Sequence, residues 1–402
     1  MMSTSNSSCS TARGEERAGR CRMDNKGCGQ LWLCNCKLWC NTDAGCRPHS
    51  KTVCEQTNED MSQVLRFATI GCGAIVEKSF LPAVIAHKHA ALIGATRKDI
   101  DRLESFCREH RIDRAYPNVD ALLDDPEVDA VYIATPVGTH YDLIVASAEH
   151  GKHILCEKPL ALDRNEATAA AAVCSANGVK LSVAYYRRQF PEITEIGSLL
   201  TRKCLGTVLS INFHHGSWYA PAANSPGSWR IDPELGGGGA LMDIGSHRLD
   251  LIQYLTSGIE RVLCRLSRQV HTHWPVEAGA TVLAGLKDGG EGHVSVCFNQ
   301  KQGSDSLEIY GEDGNVRCPR LGQGRIIVEQ NGACEEVDCG GPTAKSATHI
   351  PLLRSFIDDI QSGTPNPFAA AGVLPTEIAL AACYRSAKES RWVEVEETGG
   401  ER

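Results

Sequence analysis

No run of about 18 uninterrupted apolar residues occurs in the sequence, so no segment is a candidate to cross a membrane as a helix. An excess of positive charge is also missing: 41 Lys and Arg stand against 49 Asp and Glu, a net charge of −8, with no basic stripe. That leaves no electrostatic footprint for a nucleic-acid backbone or an anionic membrane surface. Although the chain carries 19 cysteines, the paired Cys-x-x-Cys spacing that tetrahedral zinc sites favour is absent, and no metal centre is expected. With 402 residues, 42% hydrophobic and 22% charged, the composition is that of a globular protein long enough for two cores.

The cysteines divide the chain. Eight of them (Cys9, Cys21, Cys28, Cys34, Cys36, Cys40, Cys46 and Cys54) precede Met61, and the other eleven follow it. The later ones stand singly in apolar contexts such as Leu155-Cys156 and Ala382-Cys383, where a thiol behaves as a small buried hydrophobe, a usage that suits the reducing cytosol. Residues 1–60 show neither helical nor strand periodicity and are dominated by Ser, Thr, Asn, Gly and Cys. A disordered leader or a mis-assigned upstream extension is expected there, with Met61 as the natural start. A metal-binding or disulfide-stapled module lacks the right spacing. A targeting segment lacks an apolar core longer than Leu31-Trp32-Leu33.

After Met61 the pattern becomes regular. Leu65 to Ile70 reads as a buried strand and runs into Gly71-Cys72-Gly73-Ala74-Ile75-Val76, followed by an apolar helical stretch to about Ala86. Strand, glycine turn and helix in this order make a dinucleotide-binding unit of the Rossmann type. Gly71 permits the tight turn, Gly73 lets the backbone approach a pyrophosphate, and the helix start at Ala74 and Ile75 favours negative charge. Val76 stands where the fingerprint has its third glycine, which is expected to loosen helix–strand packing rather than phosphate contact. The next strand, Ala91 to Ala95, ends at Thr96-Arg97-Lys98, where an NAD-preferring protein would place a carboxylate for the ribose 2′-hydroxyl. A hydroxyl and two cations suit a 2′-phosphate instead, so NADP(H) is expected over NAD(H), with Asp99 close enough to leave dual use open.

Strands at 129–135, 153–156 and 179–184 alternate with helices at 142–150 and 164–176, which implies a parallel sheet with its ligands at the carboxyl ends of the strands. Thr135, Pro136, His140 and Glu157-Lys158-Pro159 fall at such ends. Lys158 is placed to bind a substrate hydroxyl and assist its deprotonation. Farther on, a flexible run from Gly236 to Gly239 opens a helix to about Leu255, where i,i+4 spacing puts Asp243 and His247 on one face, with Asp250 on the same stripe. An imidazole near neutral pH is the natural proton donor or acceptor for alcohol–carbonyl interconversion, and the carboxylate would orient the site or raise the imidazole's basicity. Trp229, Arg230 and Tyr186 are candidates to line the substrate site. Segments at 208–214, 259–269, 280–286, 292–298, 306–310 and 325–330 alternate as strands of one mainly antiparallel sheet, and helices at 349–362 and 376–390 close the chain.

The Gly-Cys-Gly turn, Thr135-Pro136 with His140, Glu157-Lys158-Pro159 and the glycine-preceded Asp243-x-x-x-His247 helix together resemble the glucose–fructose oxidoreductase and inositol dehydrogenase family (Gfo/Idh/MocA) from about Arg66 onward. The resemblance implies an α/β fold: an N-terminal doubly wound Rossmann sheet (61–185) and a C-terminal α+β domain with a large open sheet (186–402), used for homodimers or homotetramers. It also implies hydride transfer between a nicotinamide and a secondary alcohol or carbonyl of a sugar, cyclitol or related polyol, with Lys158 and His247 as the catalytic pair and Asp243 in support. Cofactor contacts would come from Gly71, Gly73, Ala74, Ile75, Thr96, Arg97, Lys98, Thr135, Pro136, His140, Glu157 and Lys158. Two other readings compete. One is a non-catalytic NAD(P)-sensing regulator on the same fold. The other uses a transient oxidation to cleave a glycosidic bond.

Overall fold

The computed structural model describes residues 64–223 and 225–395, so the expected leader lies outside the described residues. Six strands, β1 (Leu65–Ile70), β2 (Ala90–Thr96), β3 (Arg114–Tyr116), β4 (Ala130–Ile133), β5 (His153–Cys156) and β6 (Leu181–Val183), form a wholly parallel sheet in the order β3-β2-β1-β4-β5-β6. Their apolar runs are continuous because both faces are covered: every residue of β4 is buried, and only one each of β1 and β5 is not. The chain order reverses between the neighbours β1 and β4, and that crevice, at the carboxyl ends, is where such sheets take ligands.

Local chemistry explains the crossings. Helix Arg164–Ala176 begins at Asp163, whose carboxylate accepts from the N–H groups of Asn165 and Glu166 at 2.7 and 3.0 Å. Helix Ile100–His110 begins at Asp99 in the same way and ends on Arg111 in the left-handed region.

Nine strands make the second sheet: β7 (Val208–Trp218), β8 (Ile259–Ser267), β9 (Gly279–Leu286), β10 (Glu291–Cys297), β11 (Asn299–Gly311), β12 (Gly314–Cys318), β13 (Arg325–Gln330), β14 (Ala333–Asp338) and β15 (Val393–Glu394). Their order is β14-β13-β12-β11-β7-β10-β9-β8-β15, antiparallel throughout except for β7 against β10. One face is covered by helices Pro191–Thr201, Ser246–Leu255 and Ala370–Glu389, whose Ile196, Ile252 and Ile378 share a core with Val262, Val282 and Val294. Alternation leaves Leu283 exposed between buried Val282 and Ala284, and Leu209, at a register shift of β7 against β11, is exposed as well.

The helix Ile350–Ser362 returns to the first sheet. Its Leu352, Leu353, Phe356 and Ile357, with Phe368 beyond it, pack in one cluster with Phe67, Phe80, Tyr132 and Leu155. The Phe67 and Phe356 rings are 6.2 Å apart, and the Val183 N–H donates to the Phe368 carbonyl at 2.9 Å.

Candidate active site

At the crevice the glycine turn is forced by sterics. Gly71 has φ +95°, and a Cβ there would stand 2.7 Å from the Ala134 carbonyl oxygen and 3.2 Å from Thr135 Cγ2. Gly73 is open where its Cβ would be, which is the room a diphosphate requires. Ala74 and Ile75 begin the helix that follows, whose first N–H groups have no partner within it. Val76 is fully buried, and the helix is wound as a π-turn over Val76–Phe80.

At the end of β2, Thr96 is buried and its carbonyl accepts from the Gly71 N–H at 2.9 Å. Arg97 folds over the turn, with Nη1 donating to the Cys72 carbonyl at 3.3 Å, and Lys98 is exposed. Asp99 caps the next helix and pairs with Arg102 at 3.3 Å, so its carboxylate serves the helix rather than a ribose. These residues fit a dinucleotide laid across the turn.

His140 and Glu157 lie beneath the site rather than in it. His140 is fully buried with its ring nitrogens 3.0 Å from the carbonyls of Thr135 and Pro159, tying two strand ends together. Thr135 also accepts from the Thr139 hydroxyl at 2.7 Å, while Pro136 offers Thr139 its carbonyl. Glu157 Oε1 accepts from the Tyr132 hydroxyl at 2.5 Å and from His349 Nε2 at 3.1 Å. Burial pushes the Glu157 carboxyl up, but His349, Tyr132 and Lys158 outweigh it and hold the group below its ordinary value.

Lys158, two residues beyond β5, reaches the second half. Its Nζ donates to the Asp243 carboxylate at 2.8 Å and to the Asp243 carbonyl at 2.6 Å. Asp243 also faces Arg230 at 3.5 Å, and Arg230 lies over the Trp229 ring at 4.4 Å. Asp243 is pushed up by burial, but the charges of Lys158 and Arg230 outweigh this and hold it below the usual carboxylate value. Its carboxylate thus serves the cations, not the imidazole as the i,i+4 spacing suggested. His247 is buried, edge-on to the rings of Tyr185 and Tyr186 at 5.7 and 5.3 Å. Burial, and after it the charges of Lys158, Arg187, Arg248 and His215, hold its imidazole well below the ordinary range, so it is neutral at pH 7.

Two expectations need correction. Asp250 leaves the stripe: it is fully buried against Arg188 at 2.5 Å and accepts from the Thr376 hydroxyl at 3.1 Å. The helix opens as a π-turn over Leu241–Gly245, which shifts the faces of the residues beyond it. Nor is the glycine run flexible. A Cβ on Gly239 would stand 1.8 Å from the Glu277 carbonyl oxygen, and the Glu277 carboxylate accepts from the N–H groups of Gly239 and Leu241 at 2.8 and 2.9 Å.

Tyr132, His349, Glu277 and Glu377 went unmarked in the sequence. Glu377 accepts from the Leu160 N–H at 3.1 Å and from the Tyr185 hydroxyl at 2.9 Å. A cleft between Leu65, Lys152 and Gln361 lies at the amino ends of the strands, and its Lys152 ammonium is spent on the carbonyls of Asp125 and Val128 at 2.8 and 2.9 Å. Among the described residues no three or more His, Cys, Asp or Glu side chains are placed to hold a metal ion, and no helix is long and apolar enough to cross a membrane.

Residues 65–185 match the model of the oxidoreductase family with an NAD-binding Rossmann fold, and residues 193–317 match the Gfo/Idh/MocA C-terminal domain. The chain belongs to the Gfo/Idh/MocA oxidoreductase family. An oxidoreductase of Formosa agariphila is 28% identical over 76% of this chain and 94% of its own length. A D-xylose 1-dehydrogenase (NADP(+)) of Haloferax volcanii is 36% identical over 49% of this chain and 59% of its own. The solved complex of a levoglucosan dehydrogenase with NADH and levoglucosan covers 83% of this chain and 100% of that one at 23% identity, with a TM-score of 0.76, which shows a shared fold.

Proposed function

We propose that this Gfo/Idh/MocA member is an NADP(H)-dependent oxidoreductase acting on a secondary alcohol or carbonyl carbon of a sugar, cyclitol or related polyol. The observation that carries the reading is the Lys158–Asp243 pair beyond the carboxyl end of β5, in the sheet that also holds the Gly71 turn, with His247 four residues on from Asp243. A bound nicotinamide would accept or supply the hydride.

This chain's side chains handle the proton. Asp243 fixes the Lys158 ammonium, which is left free to polarise the substrate oxygen. His247, neutral because it is buried among cations, takes the hydroxyl proton in oxidation and returns it in reduction. Trp229, Arg230 and Tyr186 line the substrate. A sensor without turnover would have no use for this arrangement.

Three lines support NADP(H): Arg97 over the turn, Lys98 beside it, and the diversion of Asp99 to its helix. A relative is named for NADP(+), whereas a structural neighbour holds NADH, so NAD(H) use remains within the proposal. On this reading residues 61–185 hold the cofactor, while 186–402 hold the substrate and, through the open sheet face bearing Leu209 and Leu283, a second copy of the chain.

The test is fluorescence titration of the purified protein with NADPH and NADH, then a turnover screen over polyols and keto-sugars. NADPH binding tighter than NADH, followed by turnover of a polyol or keto-sugar, is expected. Failure to bind either nucleotide overturns the reading.

A further inference from the structure

Around His247 and Asp243 the charges do not balance. Lys158, Arg230, Arg187 and Arg248 supply four cations; among the described residues the carboxylates paired with them directly are Asp243 and Asp305, while Glu157, bonded to Tyr132 and His349, acts on Lys158 from farther off. Asp305 sits on β11 opposite His215 on β7, and there it meets Arg248 from the helix, Arg187 at 3.5 Å and the His215 ring at 3.6 Å. One carboxylate is thus shared by two guanidinium groups and an imidazole.

Several donors are left over. Arg248 is fully buried, and its Nε and Nη1 have no hydrogen-bond partner among the described residues. The buried Arg187 Nε has none either. Arg187 lies across the rings of Tyr186 and Phe190 at 5.9 and 5.5 Å, and its side chain keeps 15% exposure. Tyr186 in turn is edge-on to His247. Burial and the Arg187 charge together push the Arg248 guanidinium down to about 10, and both arginines act on His247, so the excess charge lies against the candidate proton carrier. Buried cations without counter-charge are costly, and a site keeps them when something else brings the anion.

We infer that the substrate is an acidic polyol, a polyhydroxy carboxylate of the aldonate or uronate class, whose carboxylate docks on Arg187 with Arg248 behind it. A planar two-oxygen group matches the planar edge of an Arg. With its carboxylate on Arg187, a hydroxyl carbon farther along the molecule reaches Lys158 and His247. This rests on the oxidoreductase reading and narrows its substrate class.

The experiment uses the full chain with saturating NADP+. Turnover is compared for matched pairs of aldoses, their aldonates and uronates, and their phosphates, and calorimetry follows binding of the same compounds to the NADPH complex. The acids are expected to be turned over with KM at least tenfold below the neutral sugars. Arg187→Gln should raise KM for the acid at least tenfold more than it changes KM for a neutral sugar, with Arg187→Lys in between. Faster turnover of neutral sugars sinks the acidic substrate but leaves the oxidoreductase intact. Tighter use of the phosphates sinks the carboxylate. Acids that bind without any turnover keep the anion site and sink the enzyme reading; no binding and no turnover sinks both. The comparison on the unaltered protein stands even if a variant fails to fold.

Discussion

An ammonium bonded at 2.8 Å to a carboxylate and at 2.6 Å to a carbonyl has one N–H left, and in Lys158 that proton is available to a substrate oxygen. Lys158→Ala and His247→Ala are therefore expected to retain NADPH affinity while turnover falls by about 10² or more, read by titration and steady-state rates. Unchanged rates would remove both from the chemistry. Arg97→Ala should weaken NADPH much more than NADH in the same titration, whereas equal weakening would mean that its guanidinium, 3.3 Å from the Cys72 carbonyl, is only a brace. Lys158, Asp243 and His247 were legible because each sits in a local pattern. Arg187, Arg248 and Asp305 were not: Arg248 and Asp305 are 57 residues apart, and only the pairing of β7 with β11 brings the acid in. Asp250 misled for the same reason, since its partner Arg188 lies on a different element.

At the scale of elements, the glycine run and the π-turn after it set where Asp243 points. Gly239→Ala would drive a Cβ into the Glu277 carbonyl, and an overpacked backbone of this kind is expected to lose about 2 kcal/mol of stability, measured by urea unfolding, together with most of the turnover. Ordinary stability in that variant would mean that the segment is as pliant as its composition suggests. Strands β1 and β5 and helix Arg164–Ala176 could be read from sequence to the residue, because continuous apolar runs and the Asp163 cap mark them. Strand β3 has only three residues, too few to show a period. Helix Ile100–His110 carries a regular apolar stripe, Leu103, Phe106 and Cys107 at i, i+3 and i+4 behind an Asp99 cap, so its signal was present in the sequence. Beyond β11, β12 and β14 are short pieces of hairpin whose pairing, not their own composition, makes them strands.

For the whole molecule, Glu377 links the last long helix, in the second half, to the first half through the Leu160 N–H and the Tyr185 hydroxyl. Burial pushes its carboxyl up to about 7, with the Asp250 charge adding to the rise and Lys158 opposing it. A folded value raised above the unfolded one gives stability that is full below about pH 4.5 and is lost as pH climbs through about 7, a swing of roughly 3 kcal/mol. Glu377→Gln keeps the accepting oxygen and should lack that swing, so denaturation midpoints of the two proteins should diverge between pH 5 and 7.5, the variant being the more stable at the upper end. Parallel curves would show that Glu377 is ionised throughout.

The return of residues 350–373 to the first sheet also matters while the protein is being made. A ribosome that has finished the six parallel strands has not yet delivered Phe356 and Phe368, so the cluster around Phe67 and Phe80 lacks part of its cover until late in translation. The first sheet to be synthesised is thus completed by nearly the last of the described residues.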